Sequence, residues 1–205
     1  LERFGDDLPA QRKRLEAALN KLEQQTYIHR NGDLYEYLTD EEKDIEEEIK
    51  GTEVESTDIL KELESLLFDG VIKQRKIRHS NGQDYAYTRK MDDRALSREH
   101  ELAIHIVTPL SDNFDNITLQ RMQSMGRDEL RVVLPEDERL VRDLLMYKRT
   151  EKYIRQNVSV AQQEIVKRIL NDKGFQNRER LVEIENRLAH LLSQSKLIIN
   201  SGDIE

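Results

Sequence analysis

The stretch KQRKIR at 73–78 sets four cations, Lys73, Arg75, Lys76 and Arg78, within six positions, and His79 follows directly. In a β-strand, side chains alternate between faces, which pairs Lys73 with Arg75 and Lys76 with Arg78. Such a ribbon can lie along a phosphate backbone, and these four residues are the candidate nucleic-acid contacts. Two other uses compete for the same charges: protecting an edge strand from aggregation, and contact with another protein. DNA contact of this kind would be weak and independent of base sequence.

Other chemistries find less purchase. No GxxxxGK[ST] run occurs, and the eight glycines are dispersed, so no phosphate loop is present. HELAIH at 100–105 resembles a zinc-protease motif at first sight, but HExxH needs its second histidine at 104, where Ile104 stands. In a strand, His100 and His105 would point to opposite faces, so a packing role is expected for His105. The remaining histidines are scattered at 29, 79 and 190. No Ser–His–Asp set or carboxylate pair stands out, and no catalytic, cofactor-binding or metal-ligating residue is assigned.

The elements that must carry the basic stretch follow from periodicity and turn signals. Residues 9–25 read as a helix, with Leu15, Leu19 and Leu22 at helical spacing and Pro9 in the first turn. Asn31-Gly32 then marks a type I′ hairpin between 27–30 and 33–38, which would set Ile28 opposite Tyr35 and Arg30 opposite Asp33. Thr39 and Glu42 form a capping box for an acidic helix over 40–50. The acids of that helix read as a solvated face or as a surface for a basic partner. Residues 56–69 repeat the amphipathic pattern, with Gly70 as a stop, and 71–88 repeat the hairpin around Asn81-Gly82. A helix followed by a two-stranded wing is the C-terminal part of a winged-helix domain. The segment 1–92 is therefore expected to form one or two winged-helix-like units. A second region, 93–205, is expected to hold strands near 102–110 and 130–134. Its helices are expected near 136–157, 159–172 and 178–195, and LIINSGDIE would close the chain as a strand. The fold class is α+β and helix-rich.

Composition sets outer limits. The chain has 205 residues, 36% of them charged, and a net charge of −8. Residues 36–64 alone hold thirteen acids and three lysines, a net of −10, which leaves +2 for the rest. The mean charge therefore says little about any one surface. There is no cysteine, which excludes disulfides and thiolate metal sites. No run is apolar enough to span a membrane. The start, LERFGDDLP, looks like neither a signal peptide nor an initiator, so a cytoplasmic fragment of a longer polypeptide is expected.

Three long stretches carry a family resemblance: RNGDLYEYLTDEEKDIEEEI, LLFDGVIKQRKIRHSNGQDYAY and DELRVVLPEDERLVRDLLMYKRTEKYIRQN. They resemble the BrxC family, related to PglY, the P-loop ATPase subunit of BREX bacteriophage-exclusion systems. The resemblance implies that this chain follows the ATPase module of a longer protein. ATP and Mg²⁺ would belong to that parent, and no cofactor to this stretch. It implies a role in restricting phage through complex assembly, with other BREX subunits as partners, double-stranded DNA as a further contact and homo-oligomerisation through the parent ATPase. No membrane is involved. No nucleotide motif matches here, so no catalytic residue carries over. The competing classes are a stand-alone winged-helix DNA-binding regulator, and an enzyme whose site is scattered through 100–205.

Overall fold

The computed structural model of the protein describes residues 8–31, 34–200 and 202–204. Its fold is α+β and helix-rich. Chain contacts divide it into two compact units, each made of two segments: 1–53 with 146–180, and 54–145 with 181–205. The two helix–hairpin segments fall in different units.

The first unit opens with helix α1 (Leu8–Gln24), strands β1 (Ile28–Asn31) and β2 (Leu34–Tyr37), and helix α2 (Asp40–Gly51). α1 forms over the expected span, yet its leucines are not core: none of its residues is buried, and Leu15 is 61% exposed. The hairpin forms in a different register. Ile28 faces Tyr37 and Arg30 faces Tyr35, so the connection is Gly32-Asp33 rather than Asn31-Gly32. Both connecting residues lie outside the described ones, as does the expected Arg30–Asp33 pairing. Moving the turn by one residue shifts the pairing by two, which keeps every side chain on its face. Ile28 and His29, on opposite faces of β1, are both buried.

The capping box of α2 is present. The Glu42 amide donates to Thr39 Oγ1 at 3.3 Å, and the Thr39 amide donates to Glu42 Oε2 at 2.8 Å. The acidic face is only partly solvated. Glu46 is buried against Lys173 Nζ at 2.5 Å, and Glu48 accepts a hydrogen bond from the Tyr153 hydroxyl at 2.5 Å. These contacts fix α2 on a core of Ile45, Ile49, Tyr153, Ile169 and Leu170.

The second unit is built on a mixed sheet. Helix α3 (Ser56–Ser65) ends in a wide π-helical turn, Leu66–Val71, so the expected stop at Gly70 falls inside the turn. Then come β3 (Lys76–Arg78), β4 (Asp84–Met91), the two-residue β5 (Arg94–Ala95) and β6 (Leu102–Val107). Helix α4 (Ile117–Ser124) and β7 (Glu129–Val133) follow, and β8 (Lys196–Ile199) with β9 (Gly202–Ile204) closes the chain. The sheet order is β3-β4-β6-β7-β8-β9, with β5 paired to β4. β4, β6 and β7 run parallel and the remaining pairs are antiparallel.

Two expectations change here. The second hairpin is no free wing, because β4 continues past β3 and pairs with β6 along Tyr87–Met91. Its β3 partner covers only three residues. Gly82 takes the expected positive φ of 86°, but Asn81 does not take one, and the loop spans 79–83. The chain end forms a two-stranded turn-back, β8 and β9, where one strand was expected.

Helices α5 (Glu138–Asn157) and α6 (Glu164–Ser193) each contribute residues to both units. Asp137 caps α5, accepting from the Leu140 amide at 2.7 Å. The expected break near Gly174 does not occur, and α6 is one helix of 30 residues. An interior glycine costs a helix about 1 kcal/mol. Burial of Ile169 and Leu170 before it, and of Ile184, Leu188 and Leu191 after it, outweighs that cost.

Candidate functional site

The four predicted basic residues lie at the β3 end of the sheet, and all are exposed. Lys76 and Arg78 sit two apart within β3 and share a face. The expected alternation stops there. Lys73 has a left-handed backbone, φ 53°, just after the π-helical turn, and Arg75 precedes the strand. Among the described residues none of the four forms an ion pair, so their charges face solvent. That is the condition under which counterions condensed on a nucleic acid could be displaced.

Arg75 also borders a cleft of about 380 Å³, where the fold brings in His100 of the HELAIH stretch together with Arg89 and Arg98, which the sequence reading did not single out. Arg89 is held by three contacts. Its Nη1 donates to Asp69 Oδ1 at 3.3 Å, its Nη2 donates to the Gln74 carbonyl at 3.1 Å, and its guanidinium lies 5.3 Å from the Phe68 ring centre. The π-helical turn supplies both Phe68 and Asp69. The segment 96–100 is fastened along β4. The Arg89 amide donates to Ser97 Oγ at 2.9 Å, the Leu96 amide to the Arg89 carbonyl at 2.8 Å, and the His100 amide to Thr88 Oγ1 at 2.7 Å.

A second polar cluster lies inside the sheet. Pairing in register places Lys90 of β4, His105 of β6 and Arg131 of β7 in one row, and Glu129 shares the face of Arg131. Arg131 donates to Glu129 Oε1 from Nε at 3.2 Å and from Nη2 at 2.9 Å. Its Nη1 donates to Gln120 Oε1 and Gln123 Oε1, both at 2.6 Å. Lys90 Nζ donates to Glu129 Oε2 at 3.1 Å. His105 Nε2 meets the Asp92 carbonyl, which can only accept, so that nitrogen carries the proton. Nδ1 lies 3.2 Å from Arg131 Nη2 and 3.5 Å from Glu129 Oε1. Asp92 caps the row, accepting from the Thr108 amide at 2.8 Å and hydroxyl at 3.1 Å.

Burial works to raise the Glu129 pKa, but His105, Lys90 and Arg131 outweigh it and hold the carboxyl well below the usual range. Burial raises the Asp92 carboxyl, against the opposing pull of its Thr108 bonds. The neighbouring gap measures only about 20 Å³, room for one water and no substrate. The cluster is therefore a satisfied structural network. His105 has a packing role within it, while His100 of the same HELAIH stretch lines the basic cleft. Among the described residues, no group of three or more His, Asp or Glu is arranged to hold a metal ion. Among the described residues, no helix is long and apolar enough to cross a membrane.

Arg131 was legible as an anomaly, a charge inside the apolar run LRVVL, with Glu129 directly before it. Arg89 and Arg98 gave no such signal, because their meeting depends on how 96–100 returns along β4.

No solved structure matches the chain. A family model does match, over residues 52–205, and it describes the fourth domain of the BREX ATP-binding protein BrxC, with a six-stranded β-sheet. The path β3-β4-β6-β7-β8-β9 is a sheet of that size, with the short β5 beside it. The match covers the second unit, the whole of α5 and α6 and the basic edge, and on it the chain belongs to the BrxC family of BREX proteins.

Proposed function

We infer that this chain is a non-catalytic interaction and positioning region of a BREX ATPase and contributes to phage defence through complex assembly. In this reading the nucleotide chemistry belongs to other domains of the parent, and ATP and Mg²⁺ act there. The region holds partner subunits and touches duplex DNA through Lys73, Arg75, Lys76 and Arg78. The observation that carries the DNA part is the set of four exposed cations, without ion-pair partners among the described residues, at one end of the sheet. The sequence supports the non-catalytic part, since it has no phosphate loop.

The test is fluorescence anisotropy of the chain with a labelled duplex, titrated in salt, beside a variant carrying Lys73→Glu, Arg75→Glu, Lys76→Glu and Arg78→Glu. The wild type is expected to bind weakly, with log affinity falling against log salt at a slope of about −3 for three to four phosphates contacted. The variant is expected not to bind. Absence of wild-type binding at low salt refutes the DNA contact and leaves the region as a docking surface for partner subunits.

A further inference from the structure

The cleft beside β4 has more structure than a charged rim needs. A surface that merely attracts DNA can use long, unrestrained side chains. Here the central cation is locked: Arg89 sits against Phe68, and its contacts with Asp69 and Gln74 engage two of its five donors. Three N–H groups remain. Arg75 and Arg98 share the same cleft and have no partner among the described residues. His100 and the Ser97 hydroxyl line it as well. The acids on the wall are Glu64 and Asp69, and Asp69 is already engaged by Arg89. Three guanidinium groups against two carboxylates leave the cleft one positive charge in excess, before any contribution from His100.

We propose that this cleft is a phosphate-binding subsite, in which Arg89 is the fixed anchor and Arg75 and Arg98 close on the phosphate oxygens from either side. Guanidinium forks match phosphate oxygens in pairs. Three forks exceed what the two oxygens of a carboxylate can use, whereas a phosphate group offers more acceptors. The volume, about 380 Å³, admits a phosphate with the sugar attached to it. Two sources share this chemistry, the backbone of a nucleic acid and a free nucleotide. The nucleic-acid source rests on the DNA contact inferred above; the affinity of the cleft for phosphate does not.

The test is amide-resolved NMR of the chain at constant ionic strength, titrated in separate arms with inorganic phosphate, adenosine 5′-monophosphate and a short duplex. Saturable shifts are expected at residue 89 and across 96–100. Arg98→Glu is expected to weaken phosphate binding by about tenfold or more. Arg98→Lys, which keeps the charge but loses the fork, should recover only part of it. Arg98 is exposed and without a partner, so its variants should keep the wild-type urea midpoint. A Lys76→Glu/Arg78→Glu variant should hold phosphate as the wild type does. If that variant loses the duplex but keeps phosphate, edge and cleft are separate contacts and the proposal stands. If the wild type ignores the duplex yet binds phosphate or the nucleotide, the DNA reading fails and the cleft survives as a nucleotide or phosphate site. If phosphate produces no saturable shift, or Arg98→Glu binds it as tightly as the wild type, the proposal is overturned.

Discussion

Replacing Glu129 with Gln should unfold the second unit at conditions the wild type tolerates. The carboxylate is 1% exposed and faces the Arg131 guanidinium, itself 2% exposed, at 2.9 Å. The amide keeps the volume but removes the charge, leaving one buried cation without its counterion. Removing one partner of a buried pair typically costs about 3–5 kcal/mol. The lower end applies here, because Gln120 and Gln123 still accept from Arg131, and Lys90 is 29% exposed and can turn to water. For a chain of this length, about 3 kcal/mol corresponds to roughly 6–12 °C in melting temperature. Native-state hydrogen exchange at the β6 and β7 amides reads this unit separately from the other. Arg131→Met alone should also destabilise, by stranding Glu129. Glu129→Leu combined with Arg131→Met should cost less than the sum of the two single losses, since the desolvation of both charges disappears together. A loss below about 1 kcal/mol for Glu129→Gln, or strict additivity in the double variant, would refute the claim that this network holds the sheet.

Lys173→Met in the first unit should destabilise by a similar amount, about 3 kcal/mol in urea unfolding, by leaving Glu46 buried and unpaired. His29 gives that unit an acid sensitivity: burial, followed by the Lys173 charge, lowers its pKa from 6.5 to about 4. The unfolded chain then takes up a proton that the folded chain refuses. Stability is full above pH 6.5 and falls as the pH drops toward 4, and His29→Asn should flatten urea midpoints across that window. Glu46 adds a further loss below its ordinary range, because Lys173 and His29 more than reverse the upward push of burial. Thr39→Ala should remove the capping box of α2 at a cost of about 1 kcal/mol, read as a lower melting temperature of the first unit.

Much of this fold could be read from local patterns, and the errors have physical causes. The spans of α1, α2, β6, β7 and α5 follow from periodicity and caps, both of which act within a few residues. The break expected at Gly174 failed because a local helix penalty of about 1 kcal/mol yields to burial of side chains on either side of it. The wing expected at 71–88 failed because a hairpin signal says nothing about a third strand, and β6 claims the other edge of β4. The leucines of α1 show the reverse case, a helical apolar pattern in which no residue is buried.

By itself the sequence determined the element types, the helix-rich α+β class, the absence of a phosphate loop, the basic stretch at 73–78 and the family resemblance. All of these are properties of residue identity and short spacing. Only the tertiary structure decided which charges are spent and which are available. Glu129 meets Lys90, 39 residues away in the chain, because strand register brings their strands onto one face, and that pairing engages the Lys90 charge inside the sheet. Arg89 and Arg98 come to share a cleft because hydrogen bonds from β4 draw 96–100 back alongside it. An ion pair or a cleft depends on distances set by long-range pairing, and those distances do not exist until the sheet has formed.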